Sequence, residues 1–177
     1  MMTLSAFAAT FVHSNPTSPA FTEVARIALG AKDSQTVSAL REAEAYPGPA
    51  LIIAYAHCIA HGFQLQLGLE QQKLAVDSGY WPLVRFDPRR AKNGEPALRL
   101  DSPAPKIDLA KFTANESRFG ALKQIAPDRA TALGTEAQEE VRRHYALYHH
   151  LAHPAAPASN GHASPPPAAE PKTPPQP

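Results

Sequence analysis

An α/β fold is what this sequence predicts, and three observations carry the prediction. Ala50–Ala56 is a seven-residue apolar run bounded by turn residues. It has strand length, and its lack of alternation means that both faces are covered, as in a parallel sheet. Segments with helical apolar spacing stand on both sides of it. Past its carboxyl end come His57, Cys58 and His61, closed by Gly62. Open α/β sheets place their chemistry at that end of a strand.

The elements follow in order. Residues 1–20 read as irregular, with Ser14-Asn15-Pro16-Thr17-Ser18-Pro19 as loop. Thr22 is a candidate cap for a short helix with Val24, Ile27, Ala28 and Ala31 on one side. Asp33 or Ser34 starts a second helix that ends at Tyr46, its expected buried face being Val37, Leu40, Ala43 and Ala45. Pro47-Gly48-Pro49 stops it and leads into the apolar strand. Gly68 precedes another helix, with Leu69, Lys73, Ala75 and Val76 as a mixed face and Gly79 closing it.

Two short strands are expected next, at Trp81–Phe86 and Ala97–Leu100. The loop between them contains Asn93-Gly94, which favours a hairpin-like pair. Pro103 and Pro105 break the chain, and helices follow. Phe112, Phe119, Leu122 and Ile125 mark the first of these, and Glu136 to Leu151 the last, where Val141, Tyr145 and Tyr148 repeat at helical spacing.

Composition narrows the function classes. With 177 residues the chain holds at most one ordinary domain plus appendages. A net charge of +1 supplies no electrostatic footprint for nucleic acid or an anionic membrane. Ala50–Ala56 is too short to span a bilayer, and the apolar first residues lack the basic start of a secretory signal. A single cysteine excludes an internal disulfide framework. The expected location is cytoplasmic. Of nineteen prolines, nine fall between Pro154 and Pro177, so residues 153–177 read as a disordered, proline-rich tail with little to bury. The foldable part is 21–152.

One strand covered on both faces needs neighbours, and a sheet normally has several strands. The sequence therefore reads as the end of an α/β domain without its beginning. A family resemblance accounts for this. It is carried by Ala31–Thr36, by Glu42–Tyr46 with Gly48-Pro49, and by Ile52-Ile53-Ala54-Tyr55-Ala56-His57-Cys58-Ile59-Ala60-His61-Gly62. It continues through Gly68–Val76, Ser78–Leu83, Leu100-Asp101-Ser102 with Ala104-Pro105-Lys106, and Asn115-Glu116 with Arg118-Phe119. These stretches closely resemble the pyruvate:ferredoxin (flavodoxin) oxidoreductases, over roughly Val24 to Ala152.

The resemblance implies the extreme C-terminal portion of a thiamine-diphosphate-binding α/β domain, with a partial parallel sheet followed by C-terminal helices. The family carries out oxidative decarboxylation of a 2-oxoacid and passes electrons through 4Fe-4S clusters to ferredoxin or flavodoxin. Its full-length members use thiamine diphosphate with Mg and are expected to be homodimers. Cys58 matches the family cysteine that gives one thiolate to the 4Fe-4S cluster nearest the thiamine, the other ligands lying upstream. No catalytic residue carries over.

The family's Gly-Asp-Gly stretch is absent, as is a ferredoxin-type cysteine run, and residues 1–20 do not resemble the family. The isolated chain is therefore expected to bind neither cofactor and to be inactive without the upstream domains. The alternative is a non-catalytic remnant or interaction module with a proline-rich docking tail; a poorly folding remnant is a third reading. His57 and His61 suggest zinc, but His-Cys-x-x-His offers three ligands where structural zinc takes four.

Overall fold

The computed structural model describes residues 7–13 and 22–154. They build a five-stranded sheet with helices on both faces. The strands are β1 (Phe7–His13), β2 (Glu23–Ile27), β3 (Ala50–Ala56), β4 (Val84–Phe86) and β5 (Leu98–Leu100). Their order across the sheet is β1-β3-β2-β4-β5. The helices are α1 (Asp33–Ala45), α2 (Gly68–Asp77), α3 (Arg89–Lys92), α4 (Leu109–Thr113), α5 (Ser117–Ile125) and α6 (Pro127–Ala152).

The α/β class, the apolar strand and the C-terminal helices are as the sequence predicts. Parallel pairing is confined to β2 and β3, joined by α1. The other three pairs, β1–β3, β2–β4 and β4–β5, are antiparallel. The Asn93-Gly94 turn lies between β4 and β5, which form the expected pair.

Several expectations are corrected. Residues 23–27 form a strand where a Thr22-capped helix was expected, because burial there alternates with period two: Glu23, Ala25 and Ile27 are buried, Val24 and Arg26 only half so. Phe7–His13 lies in the segment expected to be irregular, yet its backbone pairs along the whole of β3, from Phe7 opposite Ala56 to His13 opposite Ala50. The edge of β3 supplies those hydrogen-bond partners, a tertiary reason that local sequence does not announce. α1 buries Gln35, Thr36, Ala39 and Ala43 and leaves Val37 and Leu40 exposed. α6 begins nine residues before Glu136, with Pro127 pre-set for a first turn. The proline-rich tail beyond residue 154 lies outside the described residues.

Two cores hold the layers. On one face α1 covers Ala25, Ile27, Ala50 and Ile52 with Ala39 and Ala43, small residues that let helix and sheet approach closely. On the other, Tyr55, Trp81, Leu83, Leu109, Phe112 and Val141 pack together with Ala75 and Val76 of α2. Trp81 spans this core, donating from Nε1 to the Ile27 carbonyl at 3.1 Å. Arg26 stacks on the Trp81 ring at 4.0 Å and donates to the Tyr148 hydroxyl at 2.9 Å, tying β2 to α6.

At the amino end of the parallel pair sits Glu23, 1% exposed. Its main-chain N–H donates to Pro49 O, but neither carboxylate oxygen has a partner among the described residues. Burial, reinforced by the negative charges of Asp87 and Glu42 and opposed by Arg89 and Arg85, pushes its pKa up to about 7 from 4.5. The folded state thus holds a proton that the unfolded chain releases first, and stability falls as pH rises through that window. Glu23→Gln removes the titration. Relative to the unsubstituted chain it should gain on the order of 2–3 kcal/mol between pH 5 and pH 8. Urea unfolding at both pH values measures this; a difference between the two chains that does not change with pH contradicts it.

Candidate functional site around Cys58

The apolar strand β3 delivers His57 and Cys58 to the carboxyl end of the parallel pair, opposite the Glu23 end. Cys58 is a free, half-buried thiol. Its carbonyl accepts from the His61 N–H at 2.9 Å, closing a 3-10 turn over Ile59–His61. Gly62 follows with φ of +70°, a backbone shape that side chains rarely adopt.

Both ends of this loop are pinned. At the start, the His57 ring lies against the first turn of α2: a Cβ on Gly68 would stand 2.5 Å from His57 Nε2. Phe63 packs on the same ring edge-on at 5.1 Å. The Gln72 amide fixes the ring's polarity. Its Oε1 accepts from the Gly30 N–H at 2.9 Å, which turns Nε2 toward His57 Nδ1 at 3.3 Å. Since the amide nitrogen can only donate, Nδ1 accepts, and the hydrogen of the neutral ring sits on Nε2. At the far end, Ser117 N–H donates to Gly62 O at 3.0 Å, and a Cβ on Gly62 would fall on the Ser117 side chain.

Behind the loop lies a buried polar network. Glu116, 1% exposed, accepts from Gln71 Nε2 at 2.9 Å and from Arg118 Nε at 2.6 Å. Gln71 also donates to the Phe112 carbonyl and accepts from Asn115. Above it Tyr55 meets Tyr80 and Trp81 edge-on, and burial pushes the Tyr55 and Tyr80 hydroxyls up from the ordinary phenol range. Burial thus favours the protonated phenols, and their rings pack into the core on this face of the sheet.

The structure brings Cys58 and His57 onto one rigid frame, with His61 half-buried on the turn. Among the described residues no three His, Cys, Asp or Glu side chains gather into a set that could hold a metal ion. A 4Fe-4S cluster needs four thiolates. The donor set here fits one corner of such a cluster, and the chain cannot enclose one alone. Lys73 pairs with Asp77, Arg85 with Asp101 and Glu42, and Arg118 with Glu116, so all three cations are engaged within the fold. Sequence reading missed Gln71, Gln72 and Glu116 as the residues that frame the loop. For Gln72 the helical spacing was a signal, since it stands with Gly68, Ala75 and Val76 on one face, and Gln71, Gln72 and Glu116 all lie in stretches that carry the family resemblance.

Among the described residues no helix is long and apolar enough to cross a membrane. No protein-family profile matches the chain. It is similar to the pyruvate-flavodoxin oxidoreductase of Rhodospirillum rubrum, 53% identical over 129 residues, which is 73% of this chain and 11% of that protein. The probable pyruvate-flavodoxin oxidoreductase of Escherichia coli is 45% identical over 122 residues, 69% of this chain and 10% of its own length. The pyruvate:ferredoxin oxidoreductase of Moorella thermoacetica is 40% identical over 129 residues, again 73% and 11%. The chain thus spans about a tenth of the length of the curated relatives that it matches.

Proposed function

Because a 129-residue segment of this chain is homologous to the pyruvate-flavodoxin oxidoreductases, we propose that it acts as one part of such an enzyme and contributes Cys58 to it. The reaction would be oxidative decarboxylation of a 2-oxoacid, with electrons leaving to ferredoxin or flavodoxin in the cytoplasm. The observation that carries this reading is the placement of the chain's one cysteine, half-buried on a loop pinned at both ends beyond β3. When bound, a 4Fe-4S cluster supplies one-electron transfer at a potential set by its surroundings.

This chain's residues do the positioning. Cys58 offers a thiolate. His57, held by Gln72 and seated on Gly68, fixes where that sulfur stands. Gly62 and Ser117 close the loop from the other side. The remaining thiolates, and thiamine diphosphate with its Mg, belong to upstream domains that this chain would join. The isolated chain is then inactive.

The test uses a full-length Rhodospirillum rubrum relative in which this chain's matched segment replaces its own. Cys58→Ser in that enzyme should remove one cluster, about four irons per chain, while 2-oxoacid binding persists. Flavodoxin reduction should fall at least a hundredfold. Unchanged iron content with normal flavodoxin reduction would sink the assignment.

A second reading, a self-standing interaction module, draws on β1. That strand covers the edge of β3 and lets the sheet stand with its own two cores. Its mark would be an iron-free chain that unfolds in one cooperative transition.

A further inference from the structure

Histidine is concentrated at one place in this molecule. Four of its eight lie between His144 and His153, in the last turns of α6 and at the residue that caps it. Two of the four are paired. The rings of His149 and His153 stack with centroids 4.6 Å apart and planes 29° from parallel. Their i,i+4 spacing sets the two side chains one turn apart on the same face. Two histidines at that spacing on a helix are a recurrent way of holding zinc. His144 and His150 differ. His144 Nε2 meets Glu140 at 3.1 Å, and among the described residues no ring contact joins His150 to either member of the pair.

The backbone prepares the pair. His153 leaves helical geometry, with φ of −132° and ψ of 65°, and its main-chain N–H donates to His149 O at 3.0 Å. Its ring Nδ1 lies 3.1 Å from the same oxygen. A carbonyl oxygen can only accept, so Nδ1 carries the hydrogen and Nε2 of the neutral ring keeps its lone pair. Metal-ligating histidines are commonly held this way, one ring nitrogen on a main-chain carbonyl and the other on the ion. A tetrahedral ion at the usual distance from one nitrogen of each ring places the two centroids about 5 Å apart, close to the observed separation. The carbonyl end of a 26-residue helix also favours a cation. Both side chains are exposed, so an ion reaches them from solvent.

We propose that His149 and His153 form a binding site for a divalent transition-metal ion of the zinc, nickel and copper group, with water completing the coordination. Imidazole suits these ions, whereas magnesium and calcium take oxygen donors. Neither Cys58 nor an iron-sulfur cluster takes part. Binding joins the C-cap of α6 to the turn before it. Tyr148, beside His149, accepts from Arg26 of β2, so the ion stiffens the end of the helix that is fastened to the sheet.

The experiment titrates Zn(II) alone into the 177-residue chain carrying Cys58→Ser, which removes the competing thiolate. Calorimetry gives the affinity, and imidazole nitrogen NMR gives the coordinating atom. His149→Ala and His153→Ala should each weaken binding by roughly tenfold or more. His144→Ala and His150→Ala should leave it within about twofold, and all four variants should keep the metal-free Tm to within about 3 °C, as exposed substitutions do. Zn(II) should shift the signal of His153 Nε2 more than that of Nδ1. Undiminished binding by His149→Ala overturns the proposal. So does coordination through His153 Nδ1. A loss in His150→Ala as large as that in His153→Ala overturns it as well, since it would assign the ion to a different pair.

Discussion

Arg85→Leu should destabilise the chain by about 3 kcal/mol, the expected result when one partner leaves a nearly buried ion pair and its carboxylate stays behind. The Arg85 and Asp101 side chains are only 13% and 11% exposed. The guanidinium grips Asp101 with two parallel bonds, Nε to Oδ2 at 2.7 Å and Nη2 to Oδ1 at 2.8 Å, and reaches Glu42 on α1 with Nη1 at 2.7 Å. Asp101 and Glu42 together hold the Arg85 pKa above the ordinary arginine range, mainly through the Asp101 bonds. One side chain on β4 thereby fastens the segment after β5 to α1 across the sheet. Thermal unfolding should show a fall in Tm of roughly 6–12 °C. Arg85→Lys should recover only part of it, since an ammonium cannot reproduce the two-pronged contact. A loss under about 1 kcal/mol for Arg85→Leu would show that water replaces the arginine at little cost.

Phe112→Ala should cost about 3–5 kcal/mol, the range for deleting a buried aromatic ring. Phe112 is fully buried and stacks on Tyr80 with ring centroids 4.7 Å apart. It is also, with Leu109, one of two buried residues in the five-residue helix α4, which is too short to hold itself together. Removing the ring leaves a cavity beneath α4 and frees the backbone that carries the Phe112 carbonyl, the acceptor for Gln71. The damage should therefore reach Glu116 and the start of α5, where Ser117 pins the Cys58 loop. Urea unfolding gives the magnitude. Faster amide exchange at Ser117 than in β2 would locate the spread, and a stability loss below about 1.5 kcal/mol would contradict the packing described.

How far the sequence could be read follows from which forces are local. Ala50–Ala56 was legible because seven apolar residues between turn residues can hardly do anything else, and β3 has those bounds. The Asn93-Gly94 turn was legible for a similar reason: Gly94 takes φ of +74°. Glu23–Ile27 was not, because Val24, Ile27, Ala28 and Ala31 suit a helix as well as a strand. The decision fell to β3 and β4 on either side. On α1 the apolar pattern pointed to Val37 and Leu40, whereas the sheet selected the face with Ala39 and Ala43, whose small side chains allow close approach. At the candidate site, Cys58 and the histidines were visible as a cluster of reactive types beyond a strand. The glutamines and the buried glutamate that frame them were not, since the contacts that bind Gln71 to Glu116 and Asn115, and Gln72 to Gly30, span more than forty residues of chain.

The close approach of backbones around the cysteine also bears on how such a segment could be found in other genomes. Gly30 has the Leu69 backbone where a Cβ would go, Gly68 has the His57 ring there, and Gly62 has Ser117. None of the three positions has room for a methyl group, and the amide of Gln72 bridges two of the elements so joined. A polypeptide that builds this corner is therefore held to glycine most firmly at position 30, by backbone contact, and at position 62, by its positive φ, while glycine at 68 and the glutamine keep the His57 ring in place. The glycines come from excluded volume and the glutamine from its hydrogen bonds, so the signature would mark the architecture even in a descendant that had lost the cysteine and its chemistry.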